Sequence, residues 1–107
     1  MDEPAKQIED VIKKWKEHHK RADSKTIMKA YEFAKRSHAQ QLRKSGEGYI
    51  THPVEVAYIL AELGLDDQTI CAALLHDVVE DTIVTKEEVI KEFGQQVAEM
   101  VERSYEA

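Results

Sequence analysis

An all-α fold, a bundle of about six helices in one domain, is what this sequence predicts. Apolar residues recur at helical spacing in successive segments, and glycine, proline and capping residues separate these segments. No segment alternates apolar and polar residues as a half-buried strand does. With 107 residues the chain is long enough for one core, so we expect a single domain over residues 1–107.

The first two helices are expected before residue 40. Asp2 would cap the first helix, with Pro4 in its first turn, and Asp23 or Ser24 would cap the second. In each helix the apolar spacing gives one stripe that would face the core. The stripes are Ile8, Val11, Ile12 and Trp15 in the first helix, and Ile27, Ala30, Tyr31, Ala34 and His38 in the second.

Three histidines lie in this part of the chain. His18 and His19 are adjacent and could bind a metal, but they do not share a helix face, so we interpret them as solvated residues at a helix end. His38 falls on the core stripe, where a hydrogen-bonded structural histidine is favoured over a metal ligand.

Helical periodicity stops over residues 41–51, where Gly46 and Gly48 allow sharp turns. Arg43 and Lys44 bring two positive charges to this loop, beside the hydroxyl of Ser45. Arginine pairs with phosphate through two hydrogen bonds or stacks flat on a base, so the loop suits a nucleotide. An exposed basic loop without a ligand is the alternative.

The third helix is expected to be capped by Thr51 and to end at Gly64. His52 falls in its first turn, directly after the glycine loop, where it is well placed to point into a cleft. A short turn at residues 65–67 would cap a fourth helix that includes residues 72–82. The buried stripe of the third helix would be Val54, Ala57, Tyr58 and Ala61.

Two further helices are expected after residue 84. Thr85 and Glu88 have the spacing of a capping box, which predicts the start of the fifth helix, and Gly94 would end it. The inward residues would be Val89, Ile90 and Phe93 in the fifth helix, and Val97, Met100 and Val101 in the sixth.

Residues 72–82 combine an aliphatic run with four ionisable side chains, which indicates a candidate site. His76 and Glu80 share one helix face, as do Asp77 and Asp81. The adjacent His76 and Asp77 can both reach one metal ion beside their turn, and they continue an apolar run in which unpaired charge is costly. A solvated acidic helix end is the alternative.

Composition narrows the function classes. A formal net charge of −6, with 34% charged residues, argues against nonspecific nucleic-acid binding, and an anionic substrate would need a metal or a local basic patch. Cys71 is interpreted as a small buried hydrophobe in a reducing compartment. No apolar run has the length of a membrane span, and the first residues do not form a signal peptide, so we expect a cytoplasmic protein.

Together these residues resemble the HD hydrolase domain of the RelA/SpoT homologues, which make and degrade guanosine tetra- and pentaphosphate. The resemblance covers residues 24–101 and is carried by Arg-Lys-Ser-Gly-Glu-Gly-Tyr-Ile-Thr-His-Pro at 43–53, His-Asp at 76–77 and Glu-Asp at 80–81. It implies a helical, manganese-dependent phosphohydrolase that removes the 3′-pyrophosphate of the alarmone. The implied roles are metal ligands for His52, His76 and Asp77, water activation for Glu80 and Asp81, and nucleoside binding for Arg43, Lys44 and Ser45.

The chain also departs from the pattern of that family. The family has a fourth ligand, an aspartate well downstream of the Glu-Asp pair, and neither Glu99, Glu102 nor Glu106 matches it. We therefore expect either a hydrolase, complete in itself or completed by a second chain, or a truncated or engineered helical module without catalysis. Apolar surface left by the absent helices would allow a homo-oligomer.

Overall fold

Six helices account for most of the chain in the computed structural model. The structure describes residues 7–39, 51–82 and 84–106, with the backbone alone at 38–39, 51–52, 80–81 and 103–106. These ranges contain no strand, which confirms the all-α prediction and the number of helices. The helices are α1 (Ile8–His18), α2 (Lys25–Ala39), α3 (Thr51–Glu62), α4 (Asp67–Asp81), α5 (Lys86–Phe93) and α6 (Gln95–Glu106).

Helix α4 lies at the centre of the bundle. It packs against α2, α3 and α6, and its apolar residues are buried on several faces, as expected of a helix surrounded by others. Each large aliphatic side chain buried in this way contributes roughly 1.5–3 kcal/mol of transfer free energy. The buried residues of α4 are Ile70, Cys71, Ala72, Leu74, Leu75 and Val78.

The other helices bury their predicted stripes in the same core, with α1 packed against α3, and α5 packed against α6. The fully buried members are Ile8, Val11, Trp15, Ile27, Ala30, Ala34, Val54, Ala57, Ala61, Val89, Val97 and Val101. Ile12, Tyr31, Tyr58, Ile90, Phe93 and Met100 are partly buried against the same core. The interpretation of His38 as a core histidine falls on a side chain outside the described residues.

The start of α1 differs from the prediction. A helix capped by Asp2 is wrong for this segment, because Gln7 has an extended backbone, with φ −107° and ψ 165°, and the helix begins at Ile8. The backbone N–H of Gln7 donates to Asp10 Oδ2 at 2.9 Å, so an acidic residue in the first turn holds the helix start. Asp2 and Pro4 themselves lie outside the described residues.

The remaining predicted helix ends agree closely with the structure. The N–H of Lys25 donates to the Asp23 carboxylate at 2.7 Å immediately before α2. Thr85 accepts from the N–H of Glu88 at 3.2 Å, and Gly94 ends α5 with a φ of +100°. Thr51 is the first residue of α3 rather than its cap, a difference of one residue.

A tight connection joins α3 to α4. The N–H of Gly64 donates to the Ala61 carbonyl at 3.0 Å, and the N–H of Leu65 donates to the Leu60 carbonyl at 3.2 Å. Gly64 has a φ of +78°, so these bonds form the helix-ending motif that requires a left-handed residue. Asp66 then accepts from the N–H of Thr69 at 3.0 Å and caps α4. No helix in the described part of the chain has the length and apolar character needed to cross a bilayer.

Candidate functional site

The His-Asp pair lies near the carboxyl end of the central helix. In α4, the Nδ1 atom of His76 is 3.0 Å from Oδ1 of Asp77, although these neighbours diverge by about 100° around the helix axis. The two side chains are 36% and 21% exposed, respectively. They are flanked in sequence by fully buried Leu75 and Val78, so the pair lies where the apolar core meets solvent.

The end of α4 is defined one turn beyond this pair. Thr82 leaves the helix with a φ of −129°, and both its N–H and its hydroxyl donate to the Val78 carbonyl, at 3.0 and 2.6 Å. The partial negative charge of a helix carboxyl end favours a cation there. Asp77 adds a carboxylate to the same end of α4, so the local field suits a bound cation more than an anion.

The donor atoms of the pair are suited to a divalent metal. The observed separation of Nδ1 and Oδ1 is 3.0 Å. An imidazole nitrogen and a carboxylate oxygen form a donor set that first-row divalent metals accept. That separation is the distance of a direct His–Asp contact, so the chemistry of the two donors is what fits part of a metal site.

His52 belongs to the helix that precedes this one. Helices α3 and α4 pack together and are joined by residues 63–66, so the chain reverses direction between them. His52 lies ten residues before the end of α3 at Glu62, and Asp77 lies ten residues after the start of α4 at Asp67. This topology brings the backbone of His52 to the same end of the helix pair as His76 and Asp77.

The other predicted site residues are described less fully. Glu80 and Asp81 occupy the last turn of α4, but their side chains, like that of His52, lie outside the described residues. Arg43, Lys44 and Ser45 fall entirely outside them. Among the side chains that the structure does describe, no three His, Cys, Asp or Glu residues are grouped closely enough to hold a metal ion.

A second histidine cluster was not anticipated from the sequence. His18 and His19 do lie at the end of α1, but the Nε2 atom of His18 is 3.1 Å from the Glu62 carbonyl oxygen. Trp15 Nε1 donates to the Leu65 carbonyl at 3.2 Å. These three side chains, which we call the α1 clasp, hold the α3–α4 connection. Sequence spacing could have shown that each histidine neighbours Trp15, because positions 18 and 19 are three and four residues after it.

Sequence comparison places these elements in a family. Residues 30–106 match the family described as HD domain. The chain is 59% identical over 76 residues to guanosine-3′,5′-bis(diphosphate) 3′-pyrophosphohydrolase of Aquifex aeolicus (strain VF5), covering 71% of this chain and 11% of that protein. It is 55% identical over 78 residues to the bifunctional (p)ppGpp synthase/hydrolase SpoT of Escherichia coli (strain K12), covering 73% and 11%.

A third relative has a different name. The chain is 48% identical over 95 residues to a probable GTP pyrophosphokinase of Mycobacterium leprae (strain TN), covering 89% of this chain and 12% of that protein. The chain thus spans between 11% and 12% of the length of these three relatives. The matches confirm the resemblance to the RelA/SpoT homologues. Because the family match covers more than two thirds of its residues, this chain belongs to the HD domain family.

Proposed function

We propose that this chain provides the metal-binding part of a hydrolase that removes the 3′-pyrophosphate from guanosine 3′,5′-bis(diphosphate) or the corresponding pentaphosphate. The observation that carries the proposal is the His76–Asp77 pair, with its donor atoms 3.0 Å apart at the end of α4. Relatives named for this hydrolysis share more than half of their residues with the chain over the matched region.

In this proposal His52, His76 and Asp77 bind one divalent cation, and manganese is our choice. The pair supplies one nitrogen and one oxygen donor, and the reversal between α3 and α4 brings a second histidine to the same end of the helices. When bound, the ion lowers the pKa of a coordinated water and offsets charge on the phosphate oxygens. A fourth protein ligand would come from a second chain or, in a longer protein, from a later part of the same polypeptide.

Glu80 and Asp81 would orient the attacking water and accept its proton. The water oxygen bonds to the phosphorus atom of the 3′-diphosphate that is attached to the ribose, and the bond from that phosphorus to the 3′ oxygen breaks. The 3′ oxygen takes a proton, so the products are pyrophosphate and GDP, or GTP from the pentaphosphate. A carboxylate within reach of the water is the kind of base this step requires.

Arg43, Lys44 and Ser45 would bind the guanine nucleoside. A guanidinium can stack on the base or form two hydrogen bonds with a phosphate, and the ammonium and hydroxyl add further donors. These residues supply positive charge in a chain whose formal net charge is −6. We infer a cytoplasmic setting, a small nucleotide rather than a nucleic acid as ligand, and self-association as one way to complete the metal site.

Single-turnover release of pyrophosphate tests the proposal. Metal-stripped protein in excess over guanosine 3′,5′-bis(diphosphate) would be assayed with and without manganese, beside Asp77→Asn and a matched Asp67→Asn control at the opposite end of the same helix. We expect manganese-dependent release from the wild type and from Asp67→Asn, and no release from Asp77→Asn.

Each other outcome has a definite meaning. Absence of release at high protein concentration would leave a helical module that has the HD motifs without the reaction. Equal release from Asp77→Asn and the wild type would place the chemistry elsewhere. If release rises with the square of protein concentration, a second chain completes the site.

A further inference from the structure

Side chains of the α1 clasp complete the hydrogen bonding of the backbone carbonyls at the connection between α3 and α4. Of the last four carbonyls of α3, those of Ile59, Leu60 and Ala61 accept from the N–H groups of residues 63–65. The fourth, that of Glu62, is 3.1 Å from the imidazole Nε2 of His18. A side chain of α1 therefore completes the hydrogen bonding of the carboxyl end of α3.

The next carbonyls also face the α1 clasp. His19 Nε2 is 3.2 Å from both the Gly64 and the Leu65 carbonyl oxygens, and Trp15 Nε1 donates to the Leu65 carbonyl at 3.2 Å. The rings of Trp15 and His19 are stacked, with centroids 4.8 Å apart. Because a carbonyl oxygen only accepts, each histidine must carry its hydrogen on Nε2 to make these bonds.

This clasp lies outside the part of the chain that defines the family. The family match begins at residue 30, whereas α1 ends at His18. Nevertheless Val11 and Trp15 of α1 are fully buried in the core, and α1 packs against α3. Helix α1 is thus an integral part of this domain, and its carboxyl end is fastened to the one connection that joins the two helices of the candidate site.

A small change in the angle between α3 and α4 at the connection would move the candidate metal ligands by a larger distance. His52 and Asp77 are each ten residues from it, which corresponds to about 15 Å along each helix. A tilt of about 4° between the helices at the connection would move a residue at that distance by about 1 Å. Metal–ligand distances are held to within about 0.2 Å, so a tilt of only about 1° matters.

We propose that Trp15, His18 and His19 are positioning residues for the metal site, acting through the α3–α4 connection on the spacing between His52 and the His76–Asp77 pair. This inference rests on the proposed function, because it requires His52, His76 and Asp77 to share a metal ion. The clasp supplies hydrogen bonds to the carbonyl groups of the connection, and these fix the relative direction of α3 and α4 in addition to the packing between the two helices.

Manganese affinity tests the clasp without relying on turnover. Free Mn²⁺ would be titrated by electron paramagnetic resonance with the wild type and with a double variant, His18→Ala and His19→Ala, below the unfolding temperature of each. Because the clasp acts at a distance, we expect an effect at the lower end of the range of about 10 to 100 found for direct partners of ligands, roughly tenfold weaker binding in the double variant. The spectrum of the bound ion should also broaden as its ligand geometry becomes less uniform.

Two matched variants separate positioning from general stability. The double variant His18→Gln and His19→Gln keeps an N–H donor at each position and should recover most of the affinity. Ile8→Ala removes a side chain that is 3% exposed in the same helix, so it should lower the unfolding temperature while affinity stays within about twofold of the wild type. Amide exchange at Leu65 should be faster in the alanine double variant than in Ile8→Ala.

The outcomes distinguish this inference from the proposed function. If the wild type binds Mn²⁺ no better than Asp77→Asn, the proposed metal site and the positioning role both fail. If the wild type binds Mn²⁺ and the alanine double variant binds equally well, only the positioning role fails. A loss in Ile8→Ala as large as that in the histidine variants would also overturn it, because the effect would then be one of stability alone.

Discussion

Gly64 lies directly against the imidazole of His18. A Cβ built on Gly64 would be 3.1 Å from His18 Nδ1 and 3.2 Å from its Cγ, closer than most real Cβ contacts. Gly64 also has a φ of +78°, a conformation that other residues rarely adopt. Two separate costs, one of backbone conformation and one of contact with His18, therefore oppose a side chain at this position.

A double-mutant cycle should separate the two costs at Gly64. We expect Gly64→Ala to lower the free energy of unfolding by about 1–3 kcal/mol, from the left-handed backbone and the displaced ring together. In the His18→Ala background the cost should be smaller, because only the backbone penalty remains. Urea denaturation of the four proteins measures the coupling, which should be at least about 0.5 kcal/mol.

Gly94→Ala is the matched control for that cycle. Gly94 has a φ of +100° and a ψ of 164°, but a Cβ there would meet nothing within 4 Å. Its cost of about 1–3 kcal/mol should come from backbone strain alone, and it should add to that of His18→Ala without coupling. Strong coupling at Gly94, or none at Gly64, would contradict the contact between Gly64 and His18.

The amino-terminal cap of α4 should make stability depend on pH in the acid range. Hydrogen bonds from the side chain and backbone N–H of Thr69 hold the pKa of Asp66 below its ordinary value of 3.8. Since the folded-state pKa is depressed, the contribution of Asp66 is present above pH 3.8 and is lost as the pH falls through the lower folded-state pKa. Asp66→Ala should cost about 1 kcal/mol at neutral pH.

Urea denaturation over a pH series tests this cap. The gap between the wild type and Asp66→Ala should narrow as the Asp66 carboxyl becomes protonated. Asp66→Asn is the control, because asparagine caps a helix without titrating, and its stability should lack this part of the pH dependence. A constant gap between the wild type and Asp66→Ala down to strongly acidic pH would exclude the charged cap.

The helix ends show which parts of the fold can be predicted from the sequence. Asp66, Thr85 and Gly94 act through atoms within one turn, so residue type and spacing predict them. The start of α1 was misplaced because Asp2 and Pro4 form a plausible local signal, whereas the observed start uses Gln7 and Asp10, an uncommon capping pair. Capping preferences alone cannot decide between a helix start at Asp2 and one at Gln7, since tertiary packing also contributes.

The candidate site shows how far functional residues can be predicted from the sequence. Periodicity predicted that His76 and Asp77 lie towards the end of an apolar helix, and the structure confirms that position. The assignment of His52 as a third ligand depends on family resemblance and remains a prediction. The partners of His18 and His19 lie at separations of 44 to 46 residues, and no local pattern encodes such a contact.

Cys71 should be unreactive in the folded protein. Burial raises the pKa of its thiol from 9.0 to about 12, and Sγ is 3.5 Å from the Thr26 carbonyl oxygen to which it donates. Since the thiolate is the nucleophile, a disulfide reagent at mildly alkaline pH should label the protein only as fast as it unfolds. Prompt labelling with an unchanged helical circular dichroism spectrum would contradict this burial, and labelling in denaturing urea is the positive control.

The raised pKa of the Cys71 thiol should lower the free energy of unfolding at alkaline pH. As the pH rises from 9.0 towards about 12, the unfolded thiol ionises while the folded one stays protonated, so stability falls. Cys71→Ala should lose this part of the alkaline decline, although its cavity lowers stability at every pH. Equal slopes of stability against pH for the two proteins above pH 9 would refute the assignment to Cys71.

Metal-linked stability gives a final test of the His76–Asp77 pair. A ligand that binds only the folded state stabilises it by about 2.7 kcal/mol when its free concentration is 100 times its dissociation constant. We expect manganese to raise the unfolding temperature of the wild type and to leave that of Asp77→Asn unchanged. Without metal, Asp77→Asn should differ from the wild type by no more than about 1 kcal/mol, because it removes a carboxylate from the negative end of α4.

Asp67→Asn is the matched control for this measurement. Asp67 is in the first turn of the same helix, about 15 Å from Asp77, where a negative charge is favourable. Its loss should lower metal-free stability slightly and leave the shift caused by manganese intact. Equal manganese shifts in the wild type and Asp77→Asn would remove Asp77 from the ligand set. An effect confined to Asp77→Asn would tie the bound ion to the carboxylate that lies 3.0 Å from His76.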